Sequence, residues 1–215
     1  VRSVVNADME NTMSSDRKEE IIEAVLGLAS ERGLGNVSMA MIAERVGIRK
    51  PSLYNHFSSK DELVEEMYRF LRERARKRTQ AADMTDPAAL FGGQTPAQIL
   101  RRAVDGYIRM SLTEDMRAFY RVIYSERVIH PMAARIMAEE TERMILATRR
   151  MLYAMEVHGL LHFRDADMSA VSFAMTVHGL MEHALDRDPA SPRFDDIYAY
   201  IDWFCAENAR EGDTK

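Results

Sequence analysis

The sequence predicts an all-α protein, and three observations carry that prediction. Apolar residues recur at the spacing of amphipathic helices through nearly the whole chain, and helix-start and helix-stop residues bracket those stretches. No run of alternating apolar and polar residues is long enough for a strand. With 215 residues, 47% hydrophobic and 29% charged, the chain has the composition of an ordinary globular protein; a chain of this length buries about 70% of its unfolded surface without needing a staple. Cys205 is the single cysteine, which excludes an intramolecular disulfide framework and suits a reducing cytoplasm, the location expected here. No uninterrupted apolar stretch approaches the roughly 18 residues of a membrane-spanning helix, so no membrane partner is expected. Val1 to Met13 carries Asp8, Glu10 and Asn11 where a secretory signal would place a basic start and an apolar run, and is expected to form a flexible N-terminal arm.

The elements follow in order. Ile21, Ile22, Val25, Leu28 and Ala29 form the inward stripe of a first helix, opened by an Asp16–Glu19 capping box and stopped at Gly33. Ser38 caps a short second helix, with Val37 and Ile42 spaced as a hydrophobic staple and Gly47 at its end. Pro51 suits the first turn of a third helix whose Leu53 and Phe57 share one face. Ser58, Ser59, Asp61 and Glu62 open a fourth that runs to about Arg78. Gln80 to Thr95, with Pro87, Gly92 and Gly93, reads as a linker. Beyond it, helices are expected from Thr95 to about Leu112, Asp115 to Val128, Pro131 to near Gly159, Asp167 to Leu185 and Phe194 to Ala209. The domain division expected is an arm over 1–13, a helix-turn-helix domain over 14–62 and a helical domain over 63–215.

Helices two and three, joined by a tight turn at Val46, Gly47 and Ile48, make a helix-turn-helix. The formal net charge of −5 speaks against a polyanionic partner only if charge is spread evenly. It is not. RVGIRKPSLYNHFSSK, from Arg45 to Lys60, contains no acid, Arg69 to Arg78 is dominated by bases, and acids outnumber bases from Gln80 onward. Arg49 and Lys50 project from the N-terminal end of the third helix, where free backbone N–H groups and the helix dipole favour a phosphate or a base edge.

At these residues the chain resembles the tetracycline-repressor (TetR) family of transcriptional regulators. The resemblance rests on Ser38, Ile42, Ala43, Val46 and Gly47, followed by KPSLYNHFSSKDEL from Lys50 to Leu63, and covers Arg17 to about Tyr68. It implies an N-terminal three-helix DNA-binding domain and a C-terminal helical domain for ligand binding and dimerisation. It also implies that Ser38, Tyr54, His56 and Lys60 grip phosphates while Lys50 and Ser52, with Asn55, face bases; Arg49 belongs with this base-facing end. The chemistry suits each role: hydroxyls and an ammonium hold phosphate without reading sequence, Asn pairs with adenine and Lys with guanine acceptors. Met39 stands where some relatives carry a base-reading polar residue, so little readout is expected there. Outside this register, His56 reads as a capping imidazole and Tyr54 as a packing residue.

Met137, Thr141, Met144, Thr148, Met151 and Met155 form one continuous helical face. The spacing alone suits either a packed core or the wall of an adaptable apolar cavity, and composition favours the core. The resemblance shifts the reading towards an effector pocket, to which Tyr107, Phe119, Tyr120 and Tyr124 add aromatic walls and His178 a polar group, suiting a bulky, mostly apolar ligand. His178 and Glu182 share a face and could bind a metal with a third ligand, but a polar pair at a seam or pocket rim is the simpler reading, and neither metal nor cofactor is expected. Cys205 reads as a small buried hydrophobe rather than a redox sensor.

One short recognition helix reads too few base pairs for genomic specificity, so a homodimer on palindromic double-stranded operator DNA is expected. Phe173, Val177, Leu180, Met181, Ile197, Ile201 and Phe204 recur at helical spacing in the last two helices and are assigned to the dimer seam, although an intrachain core has the same pattern. No Gly-rich phosphate loop, nucleophile elbow, zinc spacing or His-Glu-x-x-His helix occurs, and adjacent Glu139 and Glu140 diverge on their helix, so no enzyme is expected. The reading is a ligand-responsive DNA-binding regulator, a repressor; the alternative is a helical small-molecule-binding or scaffolding protein without operator recognition.

Overall fold

The computed structural model describes the backbone of residues 2–79 and 91–209 and the side chains of residues 16–78 and 91–209. Among the described residues there are nine α-helices and one 3-10 turn. They run as α1 (Arg2–Arg32), the turn (Leu34–Asn36), α2 (Met39–Val46), α3 (Lys50–Tyr54), α4 (Lys60–Thr79), α5 (Pro96–Ser111), α6 (Glu114–Glu126), α7 (Pro131–Val157), α8 (Ala166–Arg187) and α9 (Asp195–Glu207). The architecture is all-α, as the sequence predicts.

Side-chain caps set the starts of α2, α4 and α5. Ser38 Oγ accepts from the Met41 N–H at 3.3 Å. Ser59 Oγ accepts from the Glu62 N–H at 3.0 Å while the Glu62 carboxylate accepts from the Ser58 N–H at 2.7 Å, so Glu62 is tied to both serines that precede α4. Those donors hold the Glu62 carboxyl below the usual carboxylate range, with the Ser58 hydroxyl as the first cause. Thr95 and Gln98 form a reciprocal capping box at α5, with bonds of 2.9 and 3.3 Å. The expected linker falls largely on residues 80–90, which lie outside the described residues; from Phe91 on, Gly93 turns the chain at φ 68°. α1 differs from expectation. It begins at Arg2, and residues 2–13, expected as an arm, continue it, because no glycine or proline occurs before Gly27 to interrupt helical propensity.

Two compact units form, one from residues 1–77 and 112–137, the other from 78–111 and 138–215. This interleaving differs from the single boundary expected after residue 62, and the apolar faces explain it. In the first unit the α4 residues Leu63, Val64, Met67, Tyr68 and Leu71 are buried with Ile21, Ile22 and Val25 of α1 and Leu53 and Phe57 of the helix-turn-helix. Phe119 of α6 then meets Tyr68 with ring centroids 5.2 Å apart. Helix α6 is also fastened at both ends. Asp115 in its first turn pairs with Arg74 at 2.9 Å, Arg74 reaching on to Glu19 at 2.7 Å and Glu23 at 3.1 Å; at the other end, the Gly35 N–H donates to Glu126 at 3.5 Å.

In the second unit, α9 lies against α5 through Tyr198, whose hydroxyl donates to Asp105 at 2.7 Å, and through the Arg101–Asp202 ion pair. It meets α8 through Phe173 and Phe204, edge to face at 4.8 Å. Asp167 near the start of α8 accepts from Arg149 and Tyr153 of α7 at 2.8 and 2.9 Å. Among the described residues no helix is long and apolar enough to cross a membrane.

Candidate functional site

The turn between α2 and α3 depends on one backbone conformation. Gly47 takes φ 73° and ψ 30°, which a side chain would strain, and there the Gly47 and Ile48 N–H groups donate to Glu44 O and Ala43 O at 3.1 and 2.9 Å. Helix α3 then packs through Leu53, with Phe57 buried just beyond it. These contacts leave Arg49, Lys50, Ser52, Tyr54 and Asn55 exposed on the outward side and His56 half-buried. The Lys50 ammonium lies 5.9 Å from the centre of the Tyr54 ring, one turn along, a contact worth about 0.5–1 kcal/mol at an exposed site that orders both side chains. Met39 is buried, as its apolar character requires.

Two of the cations do other work. Arg45 is engaged by Glu31, with Nη2 and Oε2 2.9 Å apart, so it is not a free cation of the basic run. The Lys60 ammonium donates to the carbonyls of Leu34 and Val37, both at 3.1 Å, and is half-buried. Expected as a phosphate anchor, Lys60 is first a strut between the start of α4 and the α1–α2 connection, with one N–H left to offer outward. Ser38 Oγ, already an acceptor at the cap, keeps its own proton for an outside acceptor.

The residues assigned to an effector pocket divide between the two units. Phe119, Tyr120, Tyr124 and Met137 belong to the first and Tyr107, Met144, Met151 and His178 to the second. Phe119 is fully buried and packs on Tyr68, which makes it a core residue rather than a pocket wall, and Tyr120 stacks on Tyr124 at 5.8 Å. In the second unit the Tyr107 hydroxyl and His178 Nδ1 are hydrogen-bonded at 3.2 Å. Met151 and Met155 are buried and Met144 is half-buried. Among the described residues no three histidine, cysteine or acidic side chains are gathered to hold a metal ion. Burial pushes the Cys205 thiol up to about 11, which leaves almost no reactive thiolate at neutral pH.

The expected seam requires correction. Phe173, Val177, Met181, Ile197, Ile201 and Phe204 are all buried within the protomer, and Leu180 is half-buried. Helical spacing identified an inward face, but that face closes α8 on α9 inside one chain. The opposite face of α8 exposes Met168 and Met175 with Ser172 and Gly179, and α9 exposes Trp203; Met168, Met175 and Trp203 are 63%, 45% and 56% accessible. The sequence carried a signal for these residues: Met168, Ser172, Met175 and Gly179 repeat at i, i+4, i+7 and i+11, and Trp203 is the chain's only tryptophan.

A turn-stabilised pair of short helices presenting basic and amide side chains from the N-terminal end of the second defines a helix-turn-helix DNA-binding domain. Residues 21–67 match the family model for bacterial regulatory proteins of the tetR family, and residues 98–185 match that for the C-terminal domain of AefR-like transcriptional repressors. The chain belongs to the tetR family. The HTH-type transcriptional repressor KstR2 of Mycobacterium tuberculosis is 40% identical over 55 residues, covering 26% of this chain and 28% of that protein. The nucleoid occlusion factor SlmA of Vibrio vulnificus is 35% identical over 66 residues, covering 30% and 34%. The chain thus matches about a third or less of the length of these relatives. Among solved structures, the flavonoid-responsive regulator FrrA has a TM-score of 0.70 at 22% identity, over 92% of this chain and all of that one. SmeT in complex with triclosan has 0.66 at 18%, over 92% and 93%. At those identities the likeness is one of fold.

Proposed function

We propose that the protein is a homodimeric repressor that binds a palindromic operator and is released by a bulky, mostly apolar small molecule. The observation that carries the reading is the outward set Arg49, Lys50, Ser52 and Asn55, held on a helix whose inner face is locked by Leu53 and Phe57. In this reading Lys50 and Asn55 meet guanine and adenine edges in the major groove while Arg49 and Ser52 flank them. Ser38, Tyr54, His56 and the remaining N–H of Lys60 hold phosphates, which fixes register without reading sequence.

Two recognition helices about 34–36 Å apart are needed to read successive major grooves, so the dimer is part of the mechanism. Its seam is the outer face of α8 with Trp203 of α9, where a two-fold axis would bring four helices together and cover the exposed methionines. The effector site belongs to the second unit, with the Tyr107–His178 pair as its polar feature and Met144 and Met151 as adaptable walls. SmeT was captured with triclosan and FrrA is flavonoid-responsive, which supports a small organic molecule as the effector here. Helices α4 and α7 each continue from one unit into the other and are the physical route by which a ligand could alter the DNA-binding unit. Such a ligand must favour the state that cannot bind DNA, and operator DNA must then weaken ligand binding by the same factor.

The test is gel mobility of DNA upstream of the protein's own gene, challenged with excess unrelated duplex. Retention of the upstream band supports the reading, and equal competition by unrelated DNA contradicts it.

A further inference from the structure

Helix α6 ends against the turn that leads into the DNA-binding helices. Glu126, its last residue, is half-buried, and its carboxylate lies over the two glycines that flank the fully buried Leu34. A Cβ built on Gly33 would stand 3.0 Å from Oε1, and one on Gly35 3.7 Å from Oε2. Gly33 also takes φ 78°, which a side chain would strain, so the seat of the carboxylate depends on glycine there twice over. The Gly35 N–H donates to Oε1 at 3.5 Å, the long end of hydrogen-bond range.

The same turn is held a second time. The Lys60 ammonium, at the start of α4, donates to Leu34 O and Val37 O, and Asn36 Nδ2 closes the turn on Arg32 O at 2.8 Å. Ser38 follows directly, with its backbone extended at φ −114° and its hydroxyl capping α2. The place of the first phosphate donor is therefore set by residues 33–37, which are held by Lys60 from α4 and by Glu126 from α6. All of these residues belong to the first compact unit. Attraction of DNA does not explain an acid at this place, because a carboxylate repels phosphate through space. Its reach to the backbone of the turn does.

We propose that Glu126 is a positioning residue for DNA binding: its carboxylate, seated on Gly33 and Gly35, fixes the turn from which Ser38 meets a phosphate. The proposal rests on the DNA-binding reading above and adds to it a helix, α6, that supplies none of the proposed DNA contacts.

The experiment measures the affinity of the full chain for its own upstream DNA and for unrelated duplex, with urea midpoints recorded for every variant. Glu126→Asp keeps the charge but withdraws it from Gly35, and should weaken both duplexes about fivefold. Glu126→Ala should do the same, although loss of a negative charge alone would tighten binding. Glu126→Gln keeps an acceptor at full reach and should bind at least as tightly as wild type. Ser38→Gly, which removes the hydroxyl at little cost to the cap, should also lose about fivefold. Combined with Glu126→Asp it should lose no more than the larger single loss, whereas Lys50→Ala combined with Glu126→Asp should multiply the two losses. Wild-type affinity in Glu126→Asp, or in Ser38→Gly, overturns the proposal and leaves the DNA-binding reading standing. A double loss of about 25-fold for Ser38→Gly with Glu126→Asp overturns the action through Ser38. Failure of wild type to bind either duplex overturns the DNA-binding reading itself.

Discussion

Replacing Glu140 with glutamine should change stability in a way that depends on pH, with a predictable sign. The carboxyl is held up to about 7 in the folded chain, against an ordinary value of 4.5. Between those values the folded chain keeps the proton that the unfolded chain has released, so stability falls as pH rises through this window. The stabilisation is fully present below 4.5 and gone above about 7. Every tenfold gain in proton affinity on folding is worth about 1.4 kcal/mol, so the loss across the window is on the order of 3 kcal/mol. Glutamine resembles the protonated acid in size and hydrogen bonding and has no proton to lose. At pH 4 the two proteins should therefore unfold at nearly the same urea concentration, and at pH 8 the glutamine variant should be more stable by about 3 kcal/mol. Both must be measured at the same protein concentration, since a dimer's stability depends on it. A difference between wild type and variant that does not change with pH would refute the argument that burial dominates at Glu140.

Three further outcomes are expected. Lys60→Ala should lose about 2 kcal/mol of folding stability by removing the donor to two carbonyls and should lower the salt slope of DNA binding by about 1, whereas Tyr54→Phe should weaken all duplexes alike without unfolding; denaturation and salt titrations separate the two. Trp203→Glu should give a folded monomer by light scattering, while Phe173→Ala should destabilise the protomer by about 3–5 kcal/mol in chemical denaturation; a dimeric Trp203→Glu protein would move the seam elsewhere. Arg74→Met leaves Asp115, Glu19 and Glu23 without their shared cation and should cost about 2–3 kcal/mol in denaturation, less than a fully buried pair because Glu19 is only half-buried and Glu23 is exposed; a loss below about 0.5 kcal/mol would mean that the hub does not fasten α6.

The helix-turn-helix was legible because its determinants are local. Ser38, Gly47 and the Ser58–Glu62 box act within four residues of their partners, and the stripe from Ile21 to Ala29 needs only the helical repeat. What was not legible depends on long-range assembly. The stripe through Phe173 and Val177 announces a buried face, but the same pattern serves a subunit seam or an intrachain core, and here α9 fills it. The Lys60 ammonium is taken up by carbonyls 26 and 23 positions earlier in the chain, which no spacing rule anticipates. Helix α6 joins the DNA-binding unit through Phe119 on Tyr68, a contact between segments separated by the described end of α4 and all of α5. In the sequence Glu140 read only as one of two adjacent acids that diverge on their helix; its burial became apparent only with the helices packed around it.

If a symmetric pair of α3 helices reads DNA by sequence, selection of binding sites from a random duplex pool by this protein should reveal it. The expected result is enrichment of an inverted repeat whose half-site centres lie one helical turn, about 10 base pairs, or a multiple of it apart. On the selected site Lys50→Ala and Asn55→Ala should each lose about 1–3 kcal/mol while their binding to random duplex hardly changes. A pool that yields no common sequence, or a site on which both variants bind as tightly as wild type, would contradict it.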